Sequence, residues 1–152
     1  MVTYADTSVI VPLYVPEQLS TEAQVAVTAL SQPLPFNQLH ELETRNAIRR
    51  KVPTGQASVA QTRRYLANLE RDIEDGIWVQ VPTDWEKAFR EAERLSVRFT
   101  KKANARSFDI LHVALAMVGG FTHFITCDAQ QAGLVSKTKL SCALVRTPQN
   151  QV

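Results

Sequence analysis

The chain has 152 residues, 45% of them apolar and 21% charged, and its 17 basic and 15 acidic side chains leave a net charge of +2. That length fits one domain able to bury a core without disulfides or a structural metal, and the composition excludes disordered, fibrous and low-complexity classes. So small a net charge does not by itself mark a nucleic-acid binder. The two cysteines, Cys127 and Cys142, have neither metal-ligand spacing nor the density of a secreted scaffold, so buried, reduced thiols are expected.

The N-terminus lacks a basic region followed by an apolar stretch, and the longest apolar run, 110–121, contains His112, Gly119 and Gly120. Neither a signal peptide nor a membrane span is expected, and the anticipated location is cytoplasmic. Residues 2–5 read as a short buried strand, closed by Asp6. Ala23, Ala26, Val27 and Leu30 form a helical stripe, and 34–36 a second strand. The next helix carries Glu43 and a basic block, Arg45, Arg49, Arg50 and Lys51. Ser58 with Gln61 makes a capping box for a helix whose stripe, Leu66, Leu69 and Ile73, runs to a stop at Gly76.

A third strand is expected at 78–81, after which Thr83 with Glu86 makes a second capping box. The helix it opens has the stripe Trp85, Ala88, Phe89, Ala92, Leu95 and Phe99, expected to pack on a sheet, and both tryptophans are expected in the core. A second basic block, Arg94, Arg98, Lys101, Lys102 and Arg106, leads to a helix with Ser107 as its expected cap and Asp109 in its first turn. Apolar residues on all sides of that helix predict complete burial. Strands at 124–126 and 143–145 complete the pattern, with Asp128 after the first of them.

Strands alternating with helices over short connections predict an α/β fold, a parallel sheet covered on both faces. A single domain is expected over 1–147, with a short tail at 148–152. Ligands of such sheets bind beyond the carboxyl ends of the strands, where Asp6 and Asp128 fall while Asp109 opens a helix. Each acid taken singly is explained by helix capping or the helix dipole. Together they are not, because gathered carboxylates repel and lose hydration unless a divalent cation lies between them.

Asp109 at the end of a buried helix adds to this reading, since a buried acid needs a compensating charge. His112, three residues on, shares its face, but a single histidine on an apolar helix is more often a hydrogen-bonded core residue than a ligand. Glu43 and Glu41 compete for the fourth position and cannot share a helical face. Glu43, on the side of Leu39, Asn46, Ala47 and Arg50, is the better placed toward the sheet edge.

Four ordered segments carry a resemblance across nearly the whole chain: Tyr4-Ala5-Asp6-Thr7-Ser8, His40-Glu41-Leu42-Glu43-Thr44-Arg45-Asn46-Ala47, Arg106-Ser107-Phe108-Asp109-Ile110-Leu111-His112-Val113-Ala114 and Phe124-Ile125-Thr126-Cys127-Asp128. In these the chain resembles PIN-domain ribonucleases, particularly the VapC-type toxins of bacterial toxin-antitoxin systems. The resemblance implies a central parallel sheet of about five strands, with Asp6, Glu43, Asp109 and Asp128 as catalytic acids holding one or two Mg²⁺ or Mn²⁺ ions. Thr7 and Thr126 would be supporting hydroxyls. It further implies an RNA substrate, a cognate antitoxin protein and a homodimer.

Arg45, Arg49, Arg50, Lys51, Lys101, Lys102 and Arg106 flank the predicted site in sequence and would hold the RNA backbone by charge. A housekeeping PIN nuclease that processes RNA is the competing reading. A nonenzymatic receiver-like module is a third, but receivers place two adjacent acids after the first strand and a lysine after the last. Here Asp6 is followed by Thr7 and Ser8, and Arg146 follows the final predicted strand.

Overall fold

Alternation along two central strands sets the two sides of the molecule. In the computed structural model, which describes residues 2–103 and 105–147, β1 (Thr3–Ala5) pairs in parallel with β4 (His123–Thr126), Tyr4 opposite Phe124 and Ala5 opposite Ile125. Successive side chains of a strand point to opposite faces. Tyr4 and Phe124 therefore join one apolar cluster while Ala5 and Ile125 join the other. Side chains of Lys102 and Ala103 and the expected tail at 148–152 lie outside the described residues.

The chain runs β1, α1 (Thr7–Tyr14), α2 (Ser20–Ala29), β2 (Leu34–Phe36), α3 (Gln38–Arg50), α4 (Val59–Glu74), β3 (Trp78–Gln80), α5 (Trp85–Ala103), α6 (Ser107–Val118), β4, α7 (Ala129–Val135) and β5 (Ser141–Leu144). All strand pairings are parallel: β1-β4-β5 form one sheet and β2-β3 another. The expected single sheet of about five strands is thus divided in two. Proline explains the division. The Leu34 N–H bonds to Ile77 on the β3 side, so the next N–H of β2 would face β1, beside which β2 lies; that residue is Pro35, which has no N–H.

The first apolar cluster joins α5, α6 and α7 to the sheet, and the second gathers α1 to α4 with Phe36 and Trp78. Helix α6 is buried from Ile110 through Ala116, as its all-round apolar sequence predicts. The stripe of α5 packs chiefly on α6 rather than on a sheet, because α6 is itself the layer covering the strands. Phe89 departs from that stripe, at 59% exposed, and Trp85 is only partly buried, whereas Trp78 is fully buried.

Two expected helix starts are corrected. Asp84, not Thr83, accepts from the Lys87 N–H, while the Thr83 hydroxyl donates back to the Val81 carbonyl and Glu86 pairs with Arg90. Arg106, not Ser107, occupies the cap position of α6. The Ser58 and Gln61 capping box forms as expected, and Gly76 takes φ +74° just beyond α4, a conformation that favours glycine. Cys127 and Cys142 are free thiols, half-buried rather than buried. Among the described residues no helix is long and apolar enough to cross a membrane.

Candidate functional site

Strands β1 and β4 are neighbours, about 4.8 Å apart by sheet geometry, and the chain departs from them into different helices. Their carboxyl ends therefore flank a crevice of the kind where parallel sheets bind ligands. Asp6 caps α1 and Asp128 caps α7, through the N–H groups of Ser8 and of Gln130 and Gln131 respectively. Capping accounts for Asp128. It leaves Asp6 unexplained, because that side chain is drawn into the protein until only 5% is exposed.

Asp6 is held entirely by neutral donors. One oxygen accepts from the Ser8 N–H at 3.1 Å and the Ser8 hydroxyl at 2.5 Å, and the other accepts from the Thr126 hydroxyl at 2.7 Å. Thr126 Oγ1 in turn accepts from the Asp128 N–H at 2.9 Å, so one hydroxyl ties the two strand ends together. Among the described residues Asp6 has no ion-pair partner. Burial raises its pKa, outweighing the opposing influence of His112 and the hydrogen bonds from Ser8 and Thr126.

Glu43 reaches the same crevice from α3. Its Oε2 accepts from the Thr7 hydroxyl at 2.7 Å and contacts His112 Nε2 at 2.5 Å. Burial alone would raise this carboxyl, but His112, Thr7 and Arg106 together hold its pKa below the ordinary value. Glu41 leaves by the other flank of the helix, where Arg45 binds it and bridges to Glu70 on α4. The buried stripe between those flanks is His40, Thr44 and Ile48.

Asp109 stands in the first turn of α6, and the compensating charge it needs is Arg106. The guanidinium lies 2.9 Å from one Asp109 oxygen and 3.3 Å from Asp128 Oδ2, and the Arg106 N–H donates to Asp109 as well. A cation thus already spans two of the four acids. The hydrogen bond and charge of Asp109 raise the Arg106 pKa further. Gln131, buried on α7, donates to the Asp109 carbonyl at 2.9 Å and fixes α7 against α6.

All four predicted acids, with Thr7 and Thr126, belong to this one neighbourhood. Among the described residues, however, no group of three or more His, Cys, Asp or Glu side chains stands close enough together to hold a metal ion. The side chains fit a hard divalent cation in donor chemistry, four carboxylates with supporting hydroxyls. Their placement is divided: Asp6 has no ion-pair partner among the described residues, whereas Asp109 and Asp128 are already bridged by the Arg106 guanidinium.

The basic residues divide. Arg106 belongs to the acids rather than to an outer rim, and Arg45 and Lys51 are engaged by Glu41 and Glu70 and by Glu17. Arg49, Arg50 and Lys101 are exposed, and the side chain of Lys102 lies outside the described residues. A groove of about 430 Å³ starts at Thr7 and Ser8 and passes Val11, Pro12 and Ala47; beyond it, a second cavity shares Val11 and Ala47 and reaches Arg50 and Lys51. Sequence reasoning missed Ser8 and gave His112 no role in placing Glu43. The three-residue spacing from Asp109 and the buried helix were the available signals for His112.

No family model matches the chain, and no curated protein matches it. Among solved structures, the crystal structure of PAE2754 from Pyrobaculum aerophilum is similar with a TM-score of 0.58 at 15% identity, over 93% of this chain and 83% of that one. Likeness at that identity concerns the fold alone: this mixed α/β chain shares its architecture with an archaeal protein along nearly its whole length.

Proposed function

We propose that the protein is a metal-dependent ribonuclease of the PIN type, hydrolysing RNA phosphodiester bonds with Asp6, Glu43, Asp109 and Asp128 around one or two Mg²⁺ or Mn²⁺ ions. The carrying observation is Asp6, a carboxylate 5% exposed at the carboxyl end of a central strand with no basic partner among the described residues. Folding a charge into such a place costs several kcal/mol, on the order expected for one buried ion, unless something offsets it. A bound cation would supply that offset, together with a metal-bound hydroxide at neutral pH and stabilisation of charge on the phosphate.

The chain's own residues do the rest. Ser8 and Thr126 hold both Asp6 oxygens, Thr7 and His112 hold Glu43, and Arg106 offers a guanidinium that exchanges a carboxylate for a substrate phosphate. The groove at Thr7 and Ser8 would give a single RNA strand an apolar wall, and in the adjoining cavity Arg50 is the exposed cation, since Lys51 is paired with Glu17, which lines both. The toxin role, an antitoxin partner and a homodimer are proposed on the four sequence segments.

Purified protein incubated with total cellular RNA and Mn²⁺ or Mg²⁺, beside its Asp6→Asn form, tests the reading. Cation-dependent cleavage by the wild type alone is expected. Equal cleavage by the variant, or cleavage that persists in chelator, excludes this site.

A further inference from the structure

The network behind Glu43 has a direction that can be read from its donors and acceptors. Asn37, the cap of α3, accepts the N–H groups of Leu39 and His40 on Oδ1, which leaves its amide nitrogen to donate to Tyr4 Oη at 3.4 Å. Glu43 Oε2, a carboxylate oxygen that can only accept, requires the proton on His112 Nε2, and the Tyr4 hydroxyl, 2.8 Å from Nδ1, is placed to donate to the other ring nitrogen. That ring nitrogen is then the acceptor, and the ring proton sits on Nε2, facing the Glu43 oxygen and 3.3 Å from Thr7 Oγ1.

We infer that His112 is a positioning residue held as the Nε2–H tautomer between Tyr4 and Glu43, and that it presents Glu43 to the crevice through its other oxygen, Oε1. Hydrogen bonds from Thr7 and His112 both land on Oε2, and Oε1 has none among the described residues. Every member is constrained: Tyr4 and His112 are buried, Tyr4 packs against the His112, His40, Phe121 and Phe124 rings, and burial keeps the Tyr4 hydroxyl protonated. The path begins at the cap of α3 and returns to α3 through β1 and α6, so it fixes the rotation of that helix as well as one rotamer. Carboxylates that act on a cation or water depend on such outer partners. The catalytic purpose of the relay rests on the proposed ribonuclease reading.

Two measurements test it separately. Long-range ¹H–¹⁵N correlation of the imidazole at pH 8 is expected to show the Nε2–H form for His112 and a mixture of tautomers once both partners are removed, in Tyr4→Phe/Glu43→Gln. An Nδ1–H or doubly protonated ring in the wild type overturns the inference. In cleavage assays His112→Leu is expected to lower kcat by about ten- to a hundredfold with KM little changed. His112→Gln, whose amide N–H reaches the Nε2 position, should recover part of that loss, and Tyr4→Phe should lose severalfold. Unchanged kcat in folded His112→Leu overturns the positioning role. A wild type showing the Nε2–H form but cleaving no RNA with Mn²⁺ overturns the ribonuclease reading instead.

Discussion

Asp6 and Glu43 meet the same crowding and answer it in opposite directions. Asp6, with a folded pKa raised above 3.8, is at no disadvantage below that value; its cost appears as pH rises through the raised folded pKa. Glu43, with a folded pKa below 4.5, contributes stability above 4.5 that is lost as pH falls through the folded value. Without added cation, Asp6→Asn is therefore expected to be more stable than the wild type at neutral pH, by about 2–4 °C for a gain near 1 kcal/mol. That advantage should shrink as pH falls below the raised value. Glu43→Gln is expected to be less stable at neutral pH and to converge with the wild type in acid. Thermal melts of the three proteins across pH 3 to 8 check both signs. On activity, Glu43→Gln is expected to cost far more than Glu41→Gln, about a hundredfold against under twofold, because Glu41 is spent on Arg45; a reversed ranking removes Glu43 from the site.

Elements reach the crevice because polar chains lock them behind it. Trp78 on β3 donates through Nε1 to Tyr14 Oη on α1, whose hydroxyl donates to Asp72 on α4 at 2.6 Å. One tyrosine thus joins three elements under the second apolar cluster, and the helix it closes is the one that starts at Asp6. Tyr14→Phe leaves a buried indole N–H without a partner, a loss of about 1–3 kcal/mol by urea unfolding, with RNA cleavage per folded molecule nearly unchanged. A stability loss below about 0.5 kcal/mol would mean that the chain of bonds adds nothing to the packing. Most of the strand and helix order was legible at this scale from apolar periods, whereas α1 and α7 showed only as helices that Asp6 and Asp128 could cap, and β5 lies at Ser141–Leu144 rather than 143–145. The two displaced helix starts were not, because Asp84 and Thr83, or Arg106 and Ser107, compete for one backbone geometry that only the incoming chain direction settles.

At the scale of the molecule the proposed cation binds the folded state alone, so Mn²⁺ or Mg²⁺ is expected to raise the thermal midpoint by mass action, about 2.7 kcal/mol at a hundredfold excess over Kd. The rise should be lost in Asp6→Asn; an equal rise in both proteins places the cation elsewhere. Charge removal at Arg50, the exposed cation in the cavity beyond the groove, is expected to flatten the salt dependence of RNA binding by roughly one counterion and leave metal affinity unchanged. An unchanged slope returns Arg50 to the ordinary solvated surface. Expression of the chain alone is expected to arrest bacterial growth, whereas the Asp6→Asn form should not. Active wild-type protein accumulating without slowing growth would favour RNA processing over a toxin.

The sequence by itself determined the α/β class and the position of most elements, and it singled out four acids that fall near the carboxyl ends of the central strands. Those follow from local periodicity and from the rule that parallel sheets use their carboxyl edge, neither of which depends on long-range detail. Tertiary structure alone decided how the charges are partnered. The sequence could not show that α6 and α7 bring Arg106 between Asp109 and Asp128, nor that His112, buried and hydrogen-bonded as expected, has Tyr4 and Glu43 as its two partners. Division of the sheet belongs to the same class, since Pro35 matters only because its missing N–H faces β1. Pattern reveals which residues are buried together, but hydrogen-bond and ion-pair choices are contests over a few ångströms that only the assembled fold resolves.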